Sequence, residues 1–479
     1  MVRPAARLLF PALRWQAETG FAHESDVVEQ ALRLGVGGFI IFGGNAHAVR
    51  ELTASLQERS AHPLLIAADL ERGAGQQFAG ATPLPPLAGI GYLDDPTITR
   101  AAGELTGREA LALGVNWIYA PVADVDLEPN NPIVGTRAFG SDPVNVARHV
   151  GAWVDGCHAA GALACAKHFP GHGRTTGDSH AELPRVTAPR PDLDLDLAPF
   201  RAGIVHRVDA MMTAHISFPA LDVSGAPATL SRTIITDLLR NELRYPGLII
   251  TDALVMAGVL AGSIDEGEAA VRALLAGCDA LLYPSDVAAM LTAIEAAIAG
   301  ARLPQKRIDE STERIDVAVA RPSVSNGLWG LDRDRDWALD VALQSVHVVR
   351  GEPQVRNNAC TLLTIDDDVG GPYPPPARDD FARTLIAAGY QVHAADAATE
   401  KADVIAVYSD IRAWKGRPGL SERARALLGG ATTPDTTIVL FGHPRLAVDF
   451  PGHHIVAAWG GEPLMQQAAG LWLHKRAQT

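Results

Sequence analysis

The sequence predicts an α/β protein: a (β/α)8 barrel of the TIM type followed by a smaller, open α/β domain. Three observations point there. Short apolar runs alternate with Ala- and Leu-rich helical stretches through the first two-thirds of the chain. Eight such runs occur before residue 284. The same rhythm then resumes in a shorter form beyond a loop-like segment at Pro322–Trp337.

The eight candidate strands are Arg7–Ala12, Gly38–Phe42, Leu64–Asp69, Asn116–Ala120, Ala162–Ala166, Ala210–Ala214, Leu248–Thr251 and Asp279–Tyr283. Most lack polar alternation, as expected of parallel strands covered on both faces. Pro11 sits near the end of the first. Helices are predicted over Ser25–Leu34, Thr99–Leu113, Val144–Ala160 and Asp265–Ala276. The segment PSVSNGLWGLDRDRDW reads as a loop, with turn formers and then alternating charges. It divides a barrel domain over 1–325 from an α/β domain over 336–479, with 326–335 as linker. In that second domain strands are predicted over Thr361–Ile365, Gln391–Ala394, Val404–Tyr408, Thr437–Phe441 and His454–Trp459. Helices are predicted over Asp379–Ala388, Ser421–Leu428 and Pro463–His474. Gly370–Pro376, with three consecutive prolines, reads as a stiff loop.

Composition narrows the function classes. Of 479 residues, 41 are basic and 55 acidic, a net charge of −14, which argues against non-specific nucleic-acid binding. A hydrophobic share of 47 % with 20 % charged residues excludes a disordered chain. The four cysteines form no C-x-x-C pair, so neither a disulfide framework nor a structural zinc site is expected. The N-terminus reads poorly as a signal peptide, and no run of 18 apolar residues suggests a membrane span. The expectation is a soluble cytoplasmic protein without metal or cofactor.

Barrel enzymes place their working groups at the C-terminal ends of the strands. Asp69 ends the third candidate strand, Lys167 and His168 follow the fifth, His215 follows the sixth and Asp252 the seventh. All five should therefore converge on one face. The loop Lys167–His180 is rich in glycine, and Pro170 keeps His168 and His172 off a shared helical face, which argues against a metal pair. Asp178 and His180 are two apart, so in extended backbone both side chains leave on the same side. A carboxylate beside an imidazole favours the imidazolium, and such a dyad can donate and later accept a proton. A loop-stabilising ion pair is the structural alternative.

The loop, continuing through Ala181-Glu-Leu-Pro184, resembles the signature of family 3 glycoside hydrolases in the β-N-acetylglucosaminidase branch. The resemblance recurs at Ala68-Asp-Leu-Glu-Arg-Gly73, Ala120-Pro-Val-Ala-Asp-Val-Asp126 and Asn131-Pro-Ile-Val-Gly-Thr-Arg-Ala-Phe-Gly140. It continues at Thr213-Ala-His-Ile216 and Ile250-Thr-Asp-Ala-Leu-Val-Met256. Together these motifs cover roughly residues 5–320. The C-terminal portion is similar, less distinctively, to the α/β domain that follows the barrel in many members.

The resemblance implies a retaining, metal-independent exo-β-N-acetylglucosaminidase acting on terminal β-linked GlcNAc, with cell-wall muropeptide fragments as substrate class. It implies Asp252 as nucleophile and His180 as general acid/base, paired with Asp178. Asp69, Arg137, Lys167 and His168 would bind the sugar ring, and His215 would position the nucleophile side; Arg137 and Lys167 could equally sit in structural ion pairs. Two enzyme alternatives stand beside this, a phosphorylase with inorganic phosphate as acceptor and a bifunctional β-glucosidase. The non-enzyme alternative is a sugar-binding protein without turnover, disfavoured because Asp178, His180 and Asp252 are all present. Leu70-Glu-Arg-Gly-Ala-Gly-Gln-Gln77 departs from the family's usual Glu-Gly-Gly-Arg-Val continuation, and longer members carry further strands beyond Leu471–Arg476. The second domain is accordingly expected to act as scaffold or homodimer surface. His443, His453 and His454 there read as turn and surface histidines.

Overall fold

The computed structural model describes residues 3–477 apart from 180, 261–263, 322–324, 326, 354, 356–358, 369–374, 397–399, 411–414, 416, 418 and 451–453. His180, His453 and most of the proline loop at 370–376 therefore lie outside the described residues. The chain forms two compact units, one of residues 1–82, 96–125 and 141–331, the other of 83–95, 126–140 and 332–479.

In the first unit the strands are β1 (Leu9–Phe10), β2 (Ala12–Arg14), β3 (Gly38–Phe42), β4 (Leu65–Ala68), β5 (Trp117–Ile118), β6 (Leu163–Phe169), β7 (Ala210–Thr213), β8 (Leu248–Thr251) and β9 (Leu281–Leu282). Strands β2 to β8 pair in chain order as one parallel sheet. β1 pairs with β9, and a parallel bridge between Ile250 and Ala280 joins β8 to the approach of β9. Because β1 and β2 are one stretch interrupted at Pro11, these pairings curl the sheet into a barrel. The expected first strand thus divides: Arg7 belongs to a short 3-10 turn, and pairing extends on to Arg14. Strands β4, β6, β7 and β8 are buried at every residue, which explains their largely apolar sequences; β6 alone of the four carries charged or titratable residues, Lys167 and His168.

Helices return the chain between strands. Pro143–Ala160 shows how local sequence sets both ends. Asp142 caps it by accepting the amides of Val144 and Asn145, and Gly161 ends it at φ 86°. At the N-terminal side of β9, Asp279 is fully buried and pairs with Arg240 at 2.7 Å, Arg314 at 2.9 Å and Arg307. This cluster lies at the barrel end opposite the working groups, where such ion pairs serve stability.

The second unit carries β10 (His347–Arg350), β11 (Ala359–Asp366), β12 (Gln391–Ala394), β13 (Val404–Ser409), β14 (Thr437–Gly442) and β15 (His454–Ala457) in the order β10-β15-β14-β13-β11-β12. All pairs are parallel except β10 with β15. β13 and β14 are buried throughout, and the core includes Leu363, Ile405, Val407, Ile438, Leu440 and Ile455. The antiparallel edge strand β10 was not expected. Residues 332–337, read as loop, instead open the helix Asp332–Ser345. Asp332 and Asp334 occupy its first turn, where acidic side chains favour a helix start, and Ala338, Val341 and Ala342 bury its inner face.

Candidate active site

The strand order brings the polar strand-end residues to one end of the barrel. Asp69 follows β4, and Lys167 and His168 lie inside β6, which runs three residues beyond its expected end. His215 follows β7 by two residues and Asp252 follows β8 directly.

Lys167 is 2 % exposed, and its ammonium lies 2.6 Å from Asp69 Oδ1 and 2.7 Å from Glu71 Oε1. Two carboxylates thus share this cation. Glu71, itself buried, does not directly follow an apolar run, so the sequence pattern does not single it out. It stands two positions past Asp69, and in extended chain that spacing alone places both carboxylates on one side.

His168 Nδ1 lies 2.7 Å from Asp124 Oδ2. The other Asp124 oxygen accepts the amides of His172 at 2.6 Å and His168 at 3.3 Å. Burial would raise this carboxyl, but His168 and His172 together hold it below the usual carboxylate range. With Asp124 accepting from Nδ1–H, the Nε2 edge of His168 is oriented away from the carboxylate. Asp124 was also missed as a site residue, although it lies in one of the family-like motifs.

In the glycine-rich loop, His172 Nδ1 is 2.7 Å from Thr175 Oγ1, and Nε2 is 3.1 Å from Ser179 Oγ. The Thr175 hydroxyl donates to the His172 carbonyl, so it accepts from Nδ1–H, leaving Nε2 to accept from Ser179. Gly173 allows the loop to pass close by: a Cβ there would lie 1.7 Å from the Val125 carbonyl oxygen. The amides of Ala181 and Glu182 both donate to the Asp178 carbonyl at 3.0 Å. The pairing of Asp178 with His180 rests on a residue outside those described. Gly258, on the loop after β8, donates its amide to the Ser179 carbonyl at 3.0 Å, so the segments bearing Asp178 and Asp252 are joined directly.

Asp252 is partly exposed, and its Oδ1 accepts the Ala253 amide at 2.7 Å. His215, 1 % exposed, bridges Thr229 Oγ1 at 2.8 Å and the Ala253 carbonyl at 3.0 Å. A carbonyl only accepts, so Nε2 of His215 carries a proton. Arg137 is grouped with the second unit, on the 3-10 turn Gly135–Arg137, and donates to the Ile133 carbonyl at 3.4 Å. Among the described residues no cluster of His, Cys, Asp or Glu could hold a metal ion, and all four cysteines are buried and unpaired. No described helix is long and apolar enough to cross a membrane.

Residues 12–318 match the glycosyl hydrolase family 3 N-terminal domain. A β-N-acetylglucosaminidase/β-glucosidase of Cellulomonas fimi is 32 % identical over 389 residues, covering 75 % of this chain and 69 % of the relative. The solved structure of a family 3 β-N-acetylglucosaminidase from Paenibacillus sp. str. FPU-7 superposes with a TM-score of 0.87 at 29 % identity. That match covers 99 % of this chain and 97 % of that one. A β-glucoside phosphorylase shares the fold, with a TM-score of 0.86 at 23 % identity over 99 % of this chain and 92 % of that one. The match over the whole barrel, with acidic and basic groups gathered at its strand ends, places this chain in glycosyl hydrolase family 3 as a glycoside hydrolase.

Proposed function

We propose that the chain is a retaining exo-β-N-acetylglucosaminidase that removes terminal β-linked GlcNAc, with cell-wall muropeptide fragments as its substrate class. The observation that carries this reading is the gathering of Asp69, Lys167, His168, His215 and Asp252 at the C-terminal ends of β4, β6, β7 and β8 in one barrel. The naming of the Cellulomonas and Paenibacillus relatives supports the choice of sugar. In this reading Asp252 attacks the anomeric carbon while His180, charged beside Asp178, protonates the glycosidic oxygen. A covalent glycosyl-enzyme forms and the aglycone leaves. Neutral His180 then takes a proton from water, which displaces Asp252 and restores the starting anomeric configuration. Asp69, Arg137, Lys167 and His168 hold the ring, and His215 holds the backbone beside the nucleophile.

Phosphorolysis is the second reading. A neutral imidazole, unlike a second carboxylate, does not repel an anionic acceptor, and a phosphorylase shares this fold. Side-by-side assay of nitrophenyl β-GlcNAc and β-glucoside, with and without phosphate, tests both readings. Free GlcNAc released with retention supports the hydrolase, and sugar 1-phosphate as main product would replace it with the phosphorylase. Equal rates on both sugars would remove the acetamido preference. Asp252→Ala should lower kcat by about four orders of magnitude; full activity would end the nucleophile assignment.

A further inference from the structure

The segment Asp126–Gly140 belongs to the second unit, and its anchoring there gives that unit a task. The Asp126 amide donates to the Gly140 carbonyl at 2.9 Å, which closes the segment into a compact loop packed on its own side chains. Asn131 Oδ1 accepts the amides of Ile133 and Val134, each at 2.8 Å. Ile133, Val134 and Ala138 form a small buried cluster. Arg137 stands on this loop.

The loop is gripped at the C-terminal ends of β13 and β14. His443 follows β14, and Arg445 lies two residues on, in the 3-10 helix Pro444–Asp449. The Arg445 guanidinium pairs with Asp126 and also donates to the Glu128 carbonyl at 3.2 Å. His443 Nε2 lies 3.2 Å from Asp126 Oδ2, while its Nδ1 accepts the amide and Nε of Arg445 at 3.1 and 3.0 Å. Two donors on Nδ1 leave the ring proton on Nε2, so His443 is a neutral donor to Asp126. Burial lowers the imidazole's pKa, in keeping with that state. The Thr136 hydroxyl, beside Arg137, lies 3.5 Å from Asp410, the residue after β13. In parallel doubly wound sheets this end is where ligands bind. Here it holds a piece of its own chain. His443 is therefore a half-buried anchor at the turn after β14, in keeping with the turn position that the sequence suggested.

We propose that His443 and Arg445 are positioning residues for the glycosidase reaction, acting through Asp126 and the Asp126–Gly140 loop on Arg137. The inference rests on the reading of Arg137 as a sugar contact. A loop lacks the rigidity of a strand, and sugar recognition tolerates displacements of only about half an ångström. A half-buried guanidinium–carboxylate pair, backed by a histidine of fixed tautomer, supplies that rigidity.

The test is a double-mutant cycle on nitrophenyl β-GlcNAc with the full chain, combining Arg445→Met with Arg137→Ala. Arg445→Met should raise KM about tenfold with kcat within about twofold, because ground-state and transition-state binding are lost together. In the Arg137→Ala background it should add nothing further. Arg445→Lys should recover part of the lost affinity, and His443→Asn should shift KM in the same direction. An unchanged KM in Arg445→Met, or losses that multiply in the double variant, would overturn the proposal. If Arg445→Met does not fold, His443→Asn runs the same cycle. Unaltered kinetics in Arg137→Ala alone would remove the sugar contact itself, and the positioning role with it.

Discussion

His215 donates from Nε2 to the Ala253 carbonyl at 3.0 Å, one residue past Asp252. The peptide beside the proposed nucleophile is thus held from a neighbouring strand end, with Thr229 fixing the other side of the ring at 2.8 Å. His215→Ala should lower kcat by roughly 10- to 100-fold through misplacement of the carboxylate, with a smaller effect on KM. Single-turnover kinetics would read this, and a kcat equal to that of the unaltered enzyme would show that the bond is only structural.

Lys167 is the shared cation of Asp69 and Glu71. Lys167→Met removes the ammonium that both carboxylates share. Denaturant unfolding should show a loss of about 3–5 kcal/mol, since breaking a buried ion pair from one side strands the remaining charge. Adding Glu71→Gln should recover part of the stability but not the affinity for sugar. Absence of any recovery would mean that the ammonium, and not its pairing, is what the fold needs.

Asp279 sits far from the sugar chemistry in its role, as the buried hub of Arg240, Arg307 and Arg314. Its carboxylate also accepts the Ile249 amide at 3.0 Å, next to the start of β8. Asp279→Asn should cost about 3–5 kcal/mol in unfolding free energy while leaving KM unchanged in the folded fraction. A changed KM with unaltered stability would contradict the structural assignment.

The His158 ring lies 2.9 Å from Asp209, whose same oxygen accepts the Ala164 amide at the start of β6. Burial, together with Arg321, lowers the imidazole pKa from its ordinary value near 6.5 to about 4, against the opposing pull of the Asp155 carboxylate. The unfolded chain therefore binds a proton that the folded chain refuses. Stability from this group is full above about pH 6.5 and is lost as pH falls towards 4. His158→Gln should flatten the pH dependence of unfolding free energy across that interval. An unchanged slope would show that other groups govern it.

The sequence made the barrel legible because parallel strands covered on both faces must be apolar throughout, and such runs stand out between helical stretches. Seven of the eight candidate strands match observed ones closely, and Asp69, His215 and Asp252 fall just past strand ends. The first strand was blurred by Pro11, which interrupts pairing without ending the stretch. The helix at Asp332–Ser345 was hidden because alternating charges at its start resemble a solvated loop, and its apolar contacts come from elsewhere in the second unit.

What the sequence determined by itself was the order of elements, the family and a set of candidate chemical groups, since these follow from local patterning and residue type. Tertiary structure decided which partner each group meets. Asp124 and Asp126 stand two apart in one motif, yet Asp124 holds His168 in the barrel and Asp126 holds His443 and Arg445 in the second unit. Glu71 gained its place beside Lys167 in the same way. A carboxylate's partner is fixed by which strand ends pack beside it, across separations of up to 319 residues, and no local pattern encodes that choice.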